Sequence, residues 1–313
     1  MDAETTRYRD LPVIPEIGLP HAWNVFGRED EVGTLNLLTD ERRLSALRVP
    51  TLGRVFNLSL PLNMPDPPMF GRQQYRHHVF SSRNGQDDYL DGFYLQGSSQ
   101  LDGLRHVRAR EFGFYGGRQD DEAGASGSKL GIEHWASRGV VGRGVLLDVS
   151  RHLDAMGTPV APWAGGALTA DLLREVASAQ GVHFSVGDIL MVRTGWMGAY
   201  LSLSVQGRAE VAESRSWVGL EADAAMAEFL WDNHFAALVV DNPAVEHSPG
   251  DPRVGSLHRR MIPLLGMAMG EFWNLEELAK FAAESRNYYS LLVSVPLNIP
   301  GGVGSPANAI AVV

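Results

Sequence analysis

The second half of the chain alternates short apolar runs with amphipathic helical patterns, and this alternation constrains the fold more than any other feature. Residues 145–149 (VLLDV) have the pattern of a buried strand, and residues 169–180 (TADLLREVASAQ) that of a helix capped by Thr169. The same alternation continues through 188–193, 221–231 and 235–241. Strands joined through helices form crossover units whose helices cover the sheet. The sequence therefore predicts an α/β fold, with a mixed sheet covered by helices.

Two more elements are expected near the C-terminus. Asn274 and Glu277 have the spacing of a capping box, which predicts a helix that starts there and runs to about residue 284. Residues 288–296 have the pattern of a last strand, and it leads into the glycine-rich stretch IPGGVGSP.

The N-terminal part, residues 1–140, is expected to be rich in loops. Prolines are dense between residues 61 and 68, and residues 116–131 are rich in glycine, serine and charge. No change of composition marks a linker between this part and the rest. We therefore expect a single domain that spans residues 1–313.

Composition excludes several kinds of chemistry and partner. The chain has no cysteine, so any metal must be bound by oxygen or imidazole nitrogen. The net charge is −10 and the arginines are spread along the chain, so we expect no nucleic-acid partner. No apolar run approaches the roughly eighteen residues of a membrane span. Because the N-terminal residues also lack a hydrophobic secretory segment, we expect a cytoplasmic protein that does not bind membranes.

Several catalytic and nucleotide-binding motifs are missing from the sequence. It contains no G-x-S-x-G nucleophile elbow, no G-x-x-x-x-G-K-[ST] loop, no strand-linked G-x-G-x-x-G and no H-E-x-x-H. The candidates that remain are histidine, carboxylate and amide side chains.

The stretch QGSSQLDGLRH, residues 96–106, concentrates such side chains. An extended backbone would point four of its side chains to one face, because their positions differ by even numbers: Gln96, Gln100, Asp102 and His106. A straight strand would hold the first and last roughly 33 Å apart at ~3.3 Å per residue. Because the intervening glycines and serines permit bulges and turns, the stretch can curl around a point. A polar surface loop is the alternative, and the spacing alone does not decide between the two.

The same stretch resembles the motif H-x-G-T-H-x-D-x-P-x-H of bacterial kynurenine formamidases and the wider cyclase family of metal-dependent hydrolases. Asp102 and His106 match this motif, whereas Gln96 and Gln100 replace its first two histidines. A branch with the pattern Q-x-x-x-Q-x-D-x-x-x-H, which includes a trans-dienelactone hydrolase, is more similar. Segments around Trp23, at 143–149, at 187–196 and near the C-terminus also resemble the longer family members, so the likeness extends over roughly the whole chain. It implies the swivelling β/β/α-type fold of that family.

The resemblance also implies a metal site. Its ligands would be Gln96, Gln100, Asp102, His258 and Glu271, and His106 would be the proton-transfer base. Pro263, Gly266 and Gly270 would break a continuous helix between the last two ligands and let both reach one centre. The expected cofactor is a divalent cation, Mn²⁺ or Zn²⁺. Glutamine oxygens are hard ligands that favour Mn²⁺ or Mg²⁺ over Zn²⁺. As alternatives, Glu271 could be a helix-terminus carboxylate and His258 a residue on a helix surface.

Other residues are candidates for substrate contact or catalysis. Trp23 would stack on an aromatic substrate, as the N-terminal tryptophan of the family does, or would fill the core. His77 and His78 are adjacent, so on a strand at most one points inward, and His78 is the candidate for substrate binding. Asp241 and Glu246 follow a predicted strand, where catalytic groups often lie, although capping of a loop is the alternative.

The function that the resemblance implies is hydrolysis of an amide or ester by metal-activated water. The expected substrate is a small molecule, either cyclic (a lactone, lactam or imide) or an arylformamide. The cation would acidify water and polarise the carbonyl, while Asp102 binds it and His106 accepts the proton. A ring-forming cyclase or dehydratase on the same scaffold and a metal-free small-molecule-binding protein are the alternatives. The family also suggests a homo-oligomer, a dimer or tetramer.

Overall fold

The computed structural model describes residues 5–123 and 129–313, so residues 124–128 of the glycine- and serine-rich stretch lie outside the described residues. Its strands are β1 (Val13–Ile14), β2 (Leu19–Pro20), β3 (Val55–Asn57), β4 (Arg76–Ser81), β5 (Gln86–Asp91), β6 (Gln100–Asp102), β7 (Val140–Asp148), β8 (Ala167–Leu168), β9 (Ile189–Arg193), β10 (Gly219–Leu220), β11 (Ala237–Val240), β12 (Ala268–Glu271), β13 (Tyr289–Ser294), β14 (Gly304–Pro306) and β15 (Ala309–Val312). Its α-helices are α1 (Asp40–Ala46), α2 (Asp120–Ala123), α3 (Glu133–Arg138), α4 (Val149–Ala155), α5 (Ala170–Gln180), α6 (Trp196–Leu201), α7 (Val205–Ser214), α8 (Ala224–Asp232), α9 (Leu257–Arg259) and α10 (Glu276–Ser285).

A nine-stranded mixed sheet is the framework of the molecule. Its strand order is β14-β6-β12-β11-β9-β7-β13-β15-β3. The four neighbours β12, β11, β9 and β7 are parallel, and the strands on both sides of them pair antiparallel. The parallel strands are buried, and helices such as α5 and α8 contribute apolar side chains to the same core. The predicted α/β class with a helix-covered mixed sheet is confirmed.

Local capping explains where the predicted helices begin. Thr169 accepts a hydrogen bond from the Leu172 backbone N–H at 3.1 Å, so α5 begins as expected. The next helix begins at Ala224 rather than at residue 221, because Asp223 accepts from the Met226 N–H at 2.8 Å and is the cap.

The capping box predicted at residue 274 is wrong. The helix α10 begins at Glu276 after Leu275, whose side chain makes no cap. Asn274 instead accepts a long 3.4 Å bond from the Glu276 N–H, and its own N–H donates to Leu58 O. Tertiary hydrogen bonding at residue 274 replaces the local box, and the helix starts later than the sequence pattern suggests.

Charged side chains stand at the carboxyl ends of all four parallel strands. The residues at or just after these ends are Asp148, Arg193, Asp241 and Glu271. Arg193 donates to both oxygens of Glu276 and to Asp148 Oδ1, each at 2.8 Å. Burial disfavours its charge, but these two carboxylates outweigh burial and raise the pKa of Arg193. Arg193 therefore ties α10 to the ends of β7 and β9.

Substitution of Arg193 is expected to destabilise the fold. Arg193→Met should lower the free energy of unfolding by about 3 kcal/mol, because it leaves the largely buried Glu276 without its cation and Asp148 with only the half-exposed Arg151. Urea denaturation followed by circular dichroism measures the effect. Arg253→Met is the matched control, since that guanidinium is 90% exposed and its change should leave the urea midpoint in place. Equal midpoints for Arg193→Met and the wild type would contradict the stabilising role.

The N-terminal part is rich in loops, as predicted, within the residues that the structure describes. Its strands are short, 3₁₀ turns connect several of them, and β4 and β5 form a separate hairpin with mostly exposed side chains. Among the described residues, no helix combines the length and apolar character needed to cross a membrane.

Candidate metal centre

The stretch at residues 96–106 curls around a buried polar point. Its middle forms β6, in which Gln100 and Asp102 lie on one face and are fully buried, while Leu101 packs into the core on the other. A turn follows, closed by the His106 N–H donating to Gly103 O at 2.9 Å. Gly103 is required there, because a Cβ would stand 2.6 Å from Val303 O.

Glu271 reaches this point from the neighbouring strand. The antiparallel register of β12 and β6 puts Glu271 directly opposite Gln100. The Gln100 carboxamide donates a hydrogen bond to Glu271 Oε2. Glu271 therefore lies at the end of a strand, and the alternative of a helix-terminus carboxylate is wrong.

His258 completes the cluster from a short helix. Ser256 caps α9 by accepting from the Arg259 N–H, and a π-helical turn with Pro263 follows before β12 begins. His258 Nε2 lies 2.8 Å from Glu271 Oε1 and 3.6 Å from Asp102 Oδ2. One ligand atom from each of Asp102, His258 and Glu271 lies within 4.8 Å of the others. The helical segment ends before Gly266, which agrees with the prediction, whereas Pro263 lies inside the π-helical turn and Gly270 lies in β12. His258 and Glu271 both reach one centre.

Glu246 fixes the orientation of His258. Its Oε2 lies 2.5 Å from His258 Nδ1, and its Oε1 accepts from Ser256 Oγ at 2.8 Å. When His258 Nδ1 carries a hydrogen, it donates that hydrogen to the Glu246 carboxylate. Nε2 is then the ligand atom, and it is directed at Asp102 and Glu271. The sequence pointed to Glu246 only as a residue after a strand, and its contact with His258 was missed.

The charges in the cluster are strongly coupled. Burial raises the pKa of Glu271 to about 7, and the negative charge of Asp102 adds to this rise. Burial would also raise the pKa of Asp102, but the positive charges of His106 and His258 and the hydrogen bond from Gln96 outweigh it, so that pKa is lowered. Although burial opposes protonation of His258, Glu246 and the other carboxylates hold its pKa well above the usual range. The cluster therefore stabilises a positive charge at its middle.

His106 lies at the solvent side of the cluster. Its side chain is 28% exposed, and its Nε2 is 3.7 Å from Asp102 Oδ1. The Gln96 carboxamide contacts both Asp102 Oδ1 and His106 Nδ1, the latter at 2.8 Å. Burial lowers the pKa of His106, Asp102 opposes this, and the positive charges of His258 and Arg72 reinforce it. The imidazole is therefore neutral and able to accept a proton at neutral pH.

Among the residues that the structure describes, none donates a hydrogen bond to two buried oxygens of the cluster. They are Gln100 Oε1 and Asp102 Oδ2, both fully enclosed. Buried polar atoms are usually satisfied, so an unpartnered pair of this kind requires an explanation. Oxygen atoms beside a carboxylate and an imidazole nitrogen form a donor set suited to Mn²⁺ or Zn²⁺. The residues present therefore fit a divalent cation.

The two predicted substrate-binding residues lie outside this cluster. Trp23 donates its indole N–H to Pro263 O at 2.7 Å, and its ring lies 4.3 Å from the His21 ring at a tilt of 34°. His78 lies on the exposed hairpin, stacked on Tyr89 with ring centroids 4.6 Å apart. Within the described part of the chain, no hydrogen bond or ring contact joins either residue to the cluster. Their roles in substrate binding stay predictions.

Asp241 has the capping role that was the alternative for it. Its carboxylate accepts from the Thr194 N–H and Oγ and from the Gly195 N–H, at 2.7 to 3.0 Å. Burial raises its pKa to about 6, against the effect of these hydrogen bonds. Asp241 thus fixes the turn after β9.

The fold and the cluster together define an α/β protein with a buried carboxylate–imidazole centre at the ends of its strands. The cyclase family model ("Putative cyclase") matches residues 56–247. A crystal structure of a novel cyclase is 31% identical over 94% of this chain and 99% of its own, with a TM-score of 0.83. The chain belongs to the cyclase family, and the fold implied by the resemblance is confirmed.

More distant structures share the fold. An isatin hydrolase bound to the product analogue thioisatinate is 17% identical, covering 88% of this chain and 99% of its own, with a TM-score of 0.58. A "predicted metal-dependent hydrolase" from Bacillus stearothermophilus is 14% identical, covering 82% and 97%, with a TM-score of 0.51. The sequence has no significant match among curated proteins. The glutamine-containing branch of the motif is not tested by these likenesses and stays a prediction.

Proposed function

We propose that this protein is a divalent-metal-dependent hydrolase that opens a cyclic amide or ester, such as a lactone, lactam or imide, or cleaves an arylformamide. The observation that carries the proposal is the convergence of Asp102, His258 and Glu271 around two unpartnered buried oxygens, with a neutral histidine at the solvent side. The family and the hydrolases among its structural neighbours agree with it.

Five residues would hold the cation: Gln96, Gln100, Asp102, His258 and Glu271. When bound, a divalent cation acidifies water and polarises the substrate carbonyl. Glu246 keeps His258 in the tautomer whose Nε2 faces the centre. Asp102 supplies the fully buried negative charge that any cation there requires.

His106 would accept the proton of the attacking water and return it to the leaving group. An accepting Nε2 needs the hydrogen on Nδ1, and Gln96 decides this because its carboxamide faces Nδ1. In the structure the Gln96 amide nitrogen faces both Asp102 and His106 Nδ1. A cation bound by the Gln96 oxygen would require the reversed carboxamide, whose oxygen would also accept from Nδ1–H, so Gln96 would link cation binding to the tautomer of the base.

Removal and return of metal tests the proposal. The purified protein is treated with EDTA, reloaded with Mn²⁺ or Zn²⁺, and assayed for metal content and for turnover of isatin, phthalide and an N-formylarylamine. We expect about one ion or more per chain after reloading, turnover of at least one compound, and loss of turnover with EDTA. Turnover that EDTA leaves unchanged would contradict metal dependence.

A metal-free small-molecule-binding protein is the second candidate. The favouring observation is that a protonated His258, between Glu246 and Glu271 at 2.5 and 2.8 Å, itself places a positive charge at the centre. Failure to retain either metal after reloading would support this candidate. A ring-forming enzyme would use the same residues. Supplying the ring-open compound and measuring ring closure distinguishes it from a hydrolase. The homo-oligomeric state and the cytoplasmic location stay predictions.

A further inference from the structure

Four arginines line an open cavity of about 330 Å³, which we call the arginine cavity. They are Arg110, Arg253, Arg259 and Arg260. One acidic residue, Glu16, also lines it, so the lining residues carry four positive charges and one negative charge. The chain as a whole has a net charge of −10. Positive charge concentrated in a cavity of an acidic protein attracts anions.

Three distant segments of the chain form the wall of this cavity. They are residues 16–19, the 3₁₀ turn at Arg110 and residues 252–260. A small buried apolar cluster has one residue beside each of these segments, and its members are Ile14, Ala109 and Leu264. Packing between the segments therefore brings the arginines together, and the cavity does not depend on one surface loop.

Arg259 has a buried donor without an acceptor. Its Nε is shielded from solvent, and within residues 5–123 and 129–313 no atom accepts a hydrogen bond from it. Its side chain forms no ion pair within the same ranges. Buried polar groups are normally paired, and an unpaired one is destabilising, more so when it is charged. The guanidinium of Arg259 is therefore placed to donate to an anion.

Two further guanidinium groups carry a charge that no carboxylate of the described residues neutralises. Arg260 donates to two backbone oxygens at 2.8 and 2.9 Å, which fix its position but leave its charge uncompensated. Arg110 is exposed and forms no ion pair with any described residue. Arg253, by contrast, pairs with Asp251 at 2.6 Å. Three of the four arginines therefore remain available to a ligand.

The helix α9 contributes residues to both the arginine cavity and the candidate metal centre. His258 directs its Nε2 to the centre, whereas the next residue, Arg259, lines the cavity. Ser256 lines the cavity as well, and it donates to Glu246, which orients His258. The described residues that line the cavity include none of the proposed metal ligands. A ligand could therefore occupy the cavity without a cation or a substrate in the centre.

We infer that the arginine cavity binds a small polyanion of the diphosphate class, either free diphosphate or the diphosphate group of a larger molecule. Three unpaired guanidinium groups match a ligand with several negative charges better than a single carboxylate. Phosphate oxygens also fit the fork of guanidinium donors, which bind them in pairs. The cavity volume lies at the lower end of the roughly 300–1,000 Å³ typical of small-molecule sites. The inference does not depend on the proposed hydrolase activity.

Calorimetric titration with pyrophosphate tests the site. The full chain is first freed of metal with EDTA and dialysed, because pyrophosphate itself chelates divalent cations. At about 0.15 M salt, where exposed charges are screened, pyrophosphate should bind once per chain and about tenfold or more tightly than orthophosphate or citrate. Arg259→Met should weaken this binding about ten- to a hundredfold, because charge-assisted hydrogen bonds are lost. Arg259→Lys should recover part of it, because the charge is kept.

A second variant and a control make the result independent of folding. Arg110→Met changes an exposed residue on a different segment and should also weaken pyrophosphate binding. Arg48→Met, at an exposed arginine after α1 and outside the cavity, should bind like the wild type. Circular dichroism checks that each variant is folded. If Arg259→Met does not fold, the affinity of Arg110→Met decides.

The outcomes separate this site from the proposed hydrolase. Absence of saturable pyrophosphate binding, or wild-type affinity in the folded arginine variants of the cavity, would refute the site. Citrate binding as tightly as pyrophosphate would overturn the diphosphate class, since charge alone would then decide binding. Each of these results leaves the metal-reloading experiment unaffected, because that experiment contains no pyrophosphate.

Discussion

Asp102→Asn should empty the metal site and abolish turnover. Asp102 is fully buried, contacts Gln96 and lies 3.6 Å from His258 Nε2, so its charge lies inside the cluster. The substitution keeps the shape of the side chain and removes its charge. We expect metal content after Mn²⁺ reloading to fall close to background, and turnover to fall about 10³-fold or more, because the cation supplies several kcal/mol of transition-state stabilisation. Elemental analysis and the ring-opening assay measure the two effects.

The variant should remain folded. The negative charge of Asp102 is one of the causes that raise the pKa of Glu271 to about 7, so its removal relieves a repulsion inside the cluster. Asp154→Asn, at an exposed position of α4, is the matched control and should bind metal and turn over substrate like the wild type. A folded Asp102→Asn protein that still retains one metal ion per chain would show that the cation is held elsewhere.

His106→Ala should abolish turnover without emptying the site. His106 is partly exposed, lies 3.7 Å from its nearest carboxylate oxygen and contacts the half-buried Gln96, so the buried ligands Asp102, His258 and Glu271 should keep their places without it. Loss of a general base typically lowers the rate by about 10² to 10⁴-fold. Because burial lowers the pKa of His106 below its usual 6.5, the wild-type kcat/KM should fall with acid only below that pH. This limb of the pH profile should disappear from the residual activity of the variant.

The control for this substitution is His183→Ala, which alters an exposed histidine before β9 and should change neither metal content nor rate. Metal analysis then decides the role of His106. If His106→Ala loses its metal along with its activity, the residue is a ligand and the base must be sought among other groups. If it keeps both, His106 has no part in the reaction.

Local sequence patterns predicted the parallel strands and the curl of residues 96–106. Short continuous apolar runs identify these strands, because a strand that is buried on both faces carries apolar residues at successive positions. Both β9 and β11 show this pattern. The shared parity of Gln100 and Asp102 predicted that they point to one side, and β6 confirms it. These features depend on neighbours in the chain, so they can be read without knowing the tertiary structure.

What the sequence could not provide are the contacts between distant segments. The pairing of β6 with β12 joins residues 171 positions apart, and only the folded register shows that Gln100 faces Glu271. The contact of Glu246 with His258 depends on how the loop after β11 meets α9. The capping box at Asn274 was wrong for the same reason. The Asn274 backbone N–H donates to Leu58 O, a partner from a distant segment that the local pattern does not show.

Asp102 and Glu271 lie on adjacent strands of one sheet, whereas His106 lies on a connection beside it. Backbone hydrogen bonds fix the spacing of the acids, but loops tolerate exchange of residues and changes of length. Selection can therefore alter substrate preference through the loops while the residues proposed to hold the cation stay the same. Within the family, we expect sequence differences to be concentrated in the loops around the cluster and the paired strands β6 and β12 to change little.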